Sequence, residues 1–181
     1  YLFAAFGLGA RLSSCGPCTR IPASAAVLLH AIQRQRIMPI FWRPQMAIGH
    51  DEIDADHRYL ILLINTVELV LRFPENRPHI EMALEELRRY AAGHFEREER
   101  IQIAWGYIQF DEHRQAHRQL LRELDVLVNS IEVLLDDPAV GPEGLRDRSQ
   151  ELTNFLRHWL VDHVMKSDMQ LVPLFKKSNV F

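Results

Sequence analysis

The sequence predicts an all-α fold: an antiparallel up-down-up-down four-helix bundle with an extended N-terminal arm. Two observations carry that expectation. Four long stretches beyond residue 53 place apolar residues at helical spacing, with no period-two segment to compete. Short links join these stretches, so successive helices must run antiparallel. The 181 residues are 48% hydrophobic, enough for one domain with a sizeable core.

Residues 1–37 differ in kind from the rest. They contain no acid, and their only charges are Arg11, Arg20, Arg34 and Arg36. Acid-free, Arg-bearing leaders can be targeting segments, but this one lacks the charge–apolar–cleavage order of a secretory signal. It is expected to be disordered or a non-native upstream extension, with Met38 starting the functional protein and residues 38–181 forming the bundle. Cys15 and Cys18 make a CGPC sequence. A thioredoxin-like redox pair would need a strand before it and a helix after it, and neither pattern is present, so the two thiols read as incidental.

Residues 39–53 hold two prolines and a glycine and read as an extended arm. The first helix is expected from an Asp54 N-cap to Arg72, stopped by Phe73-Pro74. The second should run from about Pro78 to Gly106, with Leu84, Leu87, Ala91, His94 and Phe95 on its inner stripe. The third should run from an Asp111 cap to Leu135, with Leu120, Leu124, Leu127, Ile131 and Leu134 facing inward. The fourth should begin near Pro142-Glu143 and reach about Lys177, with Pro173 kinking its last turns.

Charge and hydropathy exclude two classes of partner. All 24 acidic residues lie from Asp51 onward, and an acidic body does not suggest nucleic acid. No apolar run approaches the roughly 18 residues of a membrane span.

The motif that carries chemistry is HRQAH. His113 and His117 are four apart and share a helix face, so both can reach one ion. His94 and Glu98 repeat that spacing in HFEREE. His163 and Asp168 lie five apart, less well aligned, and His57 opens the first helix. His57 and His94 sit about 22–24 Å from the turn joining their helices, at 1.5 Å per residue. His117 and His163 are matched across the next hairpin in the same way. All four helices thus deliver a ligand-type side chain to one layer. Five imidazoles and two carboxylates exceed a tetrahedral zinc site. Mixed nitrogen and oxygen ligation suits iron, manganese or another first-row ion, and seven donors fit a pair of ions bridged by Glu98 and Asp168. Ferritin-like di-iron proteins use Glu-x-x-His, which this chain lacks. The remaining histidines, His30, His50, His79 and His158, read as bystanders, and Glu99 as a possible support for a ligand.

Over residues 41–172 these elements resemble the hemerythrin family, specifically bacteriohemerythrins. The carriers are Trp42, the I-D-x-x-H element from Ile53 to His57 with Asn65 following, HFxxEE, HxxxH, and WLxxHxxxxD from Trp159 and Leu160 to His163 and Asp168. Two features depart from the pattern. The interval from His117 to His163 is long, and the Met usual after HFxxEE is replaced in the Ile101-Gln102 region. The resemblance implies one iron on His113, His117 and His163 and a second on His57 and His94. Glu98, Asp168 and an oxo or hydroxo group would bridge the pair. Counted so, the first iron is six-coordinate and the second five-coordinate, leaving one open position for O2, with Leu160, Trp159 and Phe95 as the apolar wall of its pocket.

The expected function is therefore reversible O2 binding for carriage, storage, delivery or sensing by a cytoplasmic protein that is not an enzyme. Two alternatives stay open at this point. One is a di-iron enzyme or iron-repair protein handling peroxide or nitric oxide. The other is a metal-dependent sensory or interaction module.

Overall fold

The computed structural model describes residues 39–73 and 75–176. The leader, with its CGPC sequence and His30, lies outside them. Four long helices follow one another: α1 (Asp51–Val70), α2 (Arg77–Ala104), α3 (Phe110–Asp136) and α4 (Pro142–Lys166). A 3-10 turn at Asp168–Leu171 and the short helix α5 (Val172–Lys176) close the described chain. Among the described residues there is no strand, and each long helix packs against its two sequence neighbours, with α1 and α4 completing the ring. This is the expected four-helix bundle.

The core follows from helical spacing. Leu60, Ile64 and Val67 of α1 face Leu84, Leu87 and Ala91 of α2, and Leu124, Val128 and Ile131 of α3 meet Leu152, Leu156 and Val164 of α4 in one buried cluster. Each large aliphatic side chain buried this way contributes about 1.5–3 kcal/mol. A second, smaller cluster of Ile48, Ile53, Leu171 and Phe175 seals one end, where the arm meets the C-terminal turns.

The helix ends correct two expectations. α1 begins at Asp51, and Asp54 is not its N-cap. The Asp54 carboxylate instead accepts from the backbone N–H of Ile48 at 2.8 Å and of Gly49 at 3.2 Å, tying the arm to the first turn. α4 ends at Lys166, well before Lys177, and the break falls at Ser167 rather than Pro173. Pro173 sits inside the first turn of α5, where its missing N–H costs nothing. A five-residue spacing on a continuous helix would rotate Asp168 well off the face of His163. The break returns it to that face.

The end of α2 is fixed by Gly106, whose φ of +66° suits glycine. Gly106 N–H donates to the Ile103 carbonyl at 3.1 Å and Tyr107 N–H to the Gln102 carbonyl at 2.9 Å, the paired bonds of a Schellman cap. This tight cap lets α3 start at once and brings His113 level with Glu98.

Candidate metal centre

α1 and α3 bring their first turns, and α2 and α4 their last turns, to the same end of the bundle. All seven sequence-predicted ligands meet there, none more than 7% exposed. They fall into two groups. His113, His117, His163 and Asp168 each offer a ligand atom within 4.8 Å of the others, and so do His57, His94 and Glu98.

The carboxylates link the groups. Glu98 Oε1 lies 2.8 Å from His113 Nε2, and Oε2 lies 3.5 Å from His94 Nε2. Asp168 Oδ1 lies 3.0 Å from His163 Nε2 and 3.3 Å from His113 Nε2, and Oδ2 lies 3.2 Å from His57 Nε2. Each carboxylate therefore turns one oxygen to the three-histidine group and the other to the two-histidine group.

The donor set fits a metal pair. Glu98 Oε2, both Asp168 oxygens, and the Nε2 atoms of His57 and His113 are buried without a hydrogen-bond partner. Such atoms are costly to bury unless something satisfies them. His117 Nε2 and His163 Nε2 approach to 3.0 Å. His117 Nδ1 faces the Glu99 carboxylate at 3.1 Å, so its proton belongs there and the Nε2 lone pair faces the cluster. His94 Nδ1 faces Asp56 Oδ2 at 3.3 Å with the same consequence.

Comparison with known proteins agrees with the geometry. Residues 48–175 match the Hemerythrin HHE cation binding domain. The chain belongs to the hemerythrin family. A bacteriohemerythrin of Clostridium acetobutylicum is 24% identical over 134 residues, covering 72% of this chain and 97% of that protein. A hemerythrin-like protein of Naegleria gruberi is 25% identical over 73% of this chain and 90% of its own. A bacteriohemerythrin of Stenotrophomonas maltophilia is 26% identical over 71% and 76%.

The hemerythrin cluster sits in a shell of polar supports, of which sequence reasoning singled out Glu99 alone. Asp56 was missed. Besides His94, it accepts from Tyr90 Oη at 2.6 Å and Arg97 Nε at 2.8 Å, and the Arg97 guanidinium lies over the Tyr90 ring. A signal existed: Tyr90, His94 and Arg97 follow i, i+4, i+7 on α2, a polar stripe that needs a partner across the helix interface. Gln102 was missed as a support too, and its Nε2 donates to Glu98 Oε1 at 2.6 Å. Trp42 of the arm lies tilted beside His57 at 6.5 Å between ring centroids, with Arg58 over its ring. The three residues expected to wall a pocket are all buried. Phe95 stacks on His117 at 4.1 Å and also meets His94, His163 and Trp159. Trp159 is held by its indole N–H on the Leu120 carbonyl at 3.1 Å. Of the histidines read as bystanders, His158 and His79 are exposed and His50 packs on Phe175.

The protein's own charges set the protonation of the hemerythrin site. Burial opposes a charge on His113, but the adjacent Asp168 and Glu98 carboxylates prevail and push its pKa up to about 9. His57 is raised too, Asp168 outweighing burial. His117 goes the other way: burial and the neighbouring His163 and His113 hold it down at about 2. Burial alone would raise Asp168, but His163, His113 and His57 keep its carboxyl well below the usual range. A cation entering such a cluster displaces imidazole protons. Among the described residues no helix is long and apolar enough to cross a membrane.

Proposed function

We propose that this chain is a non-haem di-iron protein that binds O2 reversibly, for carriage, storage, delivery or sensing. The observation that carries the reading is the asymmetry of the cluster. Two shared carboxylates serve three imidazoles on one side and two on the other. His113, His117 and His163 would hold one ion and His57 and His94 the other, one imidazole fewer, with Glu98 and Asp168 serving both. A di-iron pair, when bound, would supply reversible electron exchange with a small diatomic ligand.

The chain's own residues do the rest. Glu99 and Asp56 orient His117 and His94 and raise their basicity as ligands. Phe95, Trp159 and Leu160 exclude water from the cluster. Asp56, Glu99 and Gln102 each engage a ligand side chain, so we read them as supports rather than reactive acids or bases, and the chain as a binding protein rather than an enzyme. A cytoplasmic setting belongs to the same reading.

The test is metal analysis with optical spectra under argon, after air, and after argon is restored. Two irons per chain and a coloured band that appears in air and fades under argon are expected. A chain without iron, or a band that never reverses while peroxide or nitric oxide is consumed, would overturn the reading.

A further inference from the structure

Gln102 follows the HFEREE element near the end of α2. It is fully buried, one turn beyond Glu98 and two beyond His94 on the same face of α2. Its Nε2 donates to Glu98 Oε1 at 2.6 Å. That oxygen faces the three-histidine group, 2.8 Å from His113 and 3.6 Å from His117. The amide's orientation is set by chemistry. Turned over, Gln102 would press its own oxygen against a carboxylate oxygen, two acceptors with no proton between them. The other end of the amide, Oε1, is buried with no partner. A glutamine held this way leaves one polar atom unsatisfied in order to keep an N–H on Glu98.

The backbone around it is fixed as well. The Gln102 carbonyl accepts from Tyr107 N–H in the α2 cap, and the Tyr107 ring packs edge-on against His113 at 5.9 Å. Gln102 is therefore tied through Tyr107 to the His113 side of the three-histidine group before its side chain acts.

The geometry points to Gln102 as a positioning residue that locks the Glu98 carboxylate across the two groups and tunes the ion on the three-histidine side. This rests on the di-iron reading above. A hydrogen bond to an anionic ligand oxygen withdraws electron density from it. The oxygen becomes a weaker donor, and the ferrous state, which needs less donation, is favoured over the ferric. Gln102 thus biases one ion of the pair toward reduction, through an oxygen that the two-histidine ion does not share.

The experiment is spectroelectrochemistry on the iron-loaded full chain and its Gln102→Met variant, with metal content measured on both. Methionine matches glutamine in length and removes the donor and the unsatisfied acceptor together. Gln102→Leu repeats the test without a sulfur that could bind metal. Both variants are expected to retain iron, to show shifted ligand-to-metal charge-transfer bands, and to have a lower midpoint potential. A tenfold gain in ferric preference corresponds to about 59 mV per electron. Unchanged bands and potential in variants that retain iron would overturn the role of Gln102 and leave the di-iron reading standing. A wild-type chain that takes up no iron would overturn both. Nuclear magnetic resonance of the zinc-loaded wild type decides the point if the variants fold poorly. One Gln102 side-chain amide proton should lie downfield and exchange slowly, and an ordinary, fast-exchanging amide would sink the proposal.

Discussion

Glu68 on one side, and Glu98 with Asp168 on the other, are buried carboxylates that the bundle treats in opposite ways. In the half of the bundle away from the histidines, Glu68 is 5% exposed and held by two arginines. Arg157 Nη2 lies 2.5 Å from one oxygen and Arg72 Nη2 3.3 Å from the other. Both guanidinium groups keep some contact with water, which lowers the cost of burying their charge. At the histidine end, Glu98 and Asp168 are wholly buried, and their ion-pair partners among the described residues are imidazoles. A buried carboxylate must be hydrogen-bonded or find a positive charge. Glu68 finds that charge permanently on its own chain. Glu98 and Asp168 leave it to protons or to a cation from solution, and that difference marks the second place as a site and the first as structure.

Metal should therefore stabilise one end and be irrelevant to the other. Loading at a thousand times the dissociation constant adds about 4 kcal/mol, or roughly 8–16 °C in Tm for a domain of this size. Scanning calorimetry with and without ferrous iron checks it. His117→Ala and Asp168→Asn should each shrink the increment and lower iron content. An undiminished increment in both would show that the metal binds elsewhere and would break the comparison.

The same contrast appears in pH dependence. His113 has a folded pKa of about 9, above its unfolded value near 6.5. Its stabilising contribution is complete below pH 6.5 and is lost as pH rises through 9. His117, held at about 2, contributes most above pH 6.5 and loses that contribution as pH falls. Metal-free protein should therefore be most stable near pH 6.5. The alkaline loss should reach about 3 kcal/mol, read from urea midpoints between pH 6 and 10. His113→Gln should shrink the alkaline limb to the part that His57, also raised, carries. An undiminished limb in that variant would take the assignment away from His113.

Much of this was legible beforehand, for a physical reason. Ligand spacing on a helix is a local property, and the rise per residue converts it into depth in the bundle, so HRQAH and HFEREE could be placed without coordinates. What escaped were the features decided by partners distant in sequence. Asp54 is a good cap type, but a cap is chosen by which backbone N–H groups come near, and the folded arm brought Ile48 and Gly49 to it. The fourth helix was expected to reach about Lys177 with Pro173 kinking its last turns, yet it breaks at Ser167, where Asp168 can reach His57, His113 and His163. Asp56 looked like one acid among several in DEIDAD. Only the packing of α1 on α2 sets it against His94, Tyr90 and Arg97.

A smaller effect sharpens the contrast from the other half. Glu68→Ala should cost about 2 kcal/mol, the loss of a charged, part-buried hydrogen-bond set. The cost should be the same in metal-free and metal-loaded protein, because Glu68 has no part in binding. Thermal unfolding of both forms measures it. A cost that depends on metal would mean that the two halves are coupled.

The arm offers the smallest and most discriminating test, because it touches both halves. Asn65, on the far side of α1 from its first turn, grips the Ile40 backbone at two points, accepting from its N–H and donating to its carbonyl, both at 2.9 Å. From there the arm passes Trp42 beside His57 and ends at the Asp54 tie. Asn65→Ala should cost about 1 kcal/mol, the net worth of two neutral hydrogen bonds partly replaced by water. Asn65→Asp keeps the acceptor, sets its charge against the Ile40 carbonyl, and should recover part of the loss at most. If the arm only covers apolar surface, the cost will appear in Tm alone. If it also holds Trp42 in place beside His57, both variants will release iron faster to a chelator at temperatures where they remain fully folded. Equal release rates in wild type and variants would confine the arm to a structural role and draw the boundary of the site at the helices themselves.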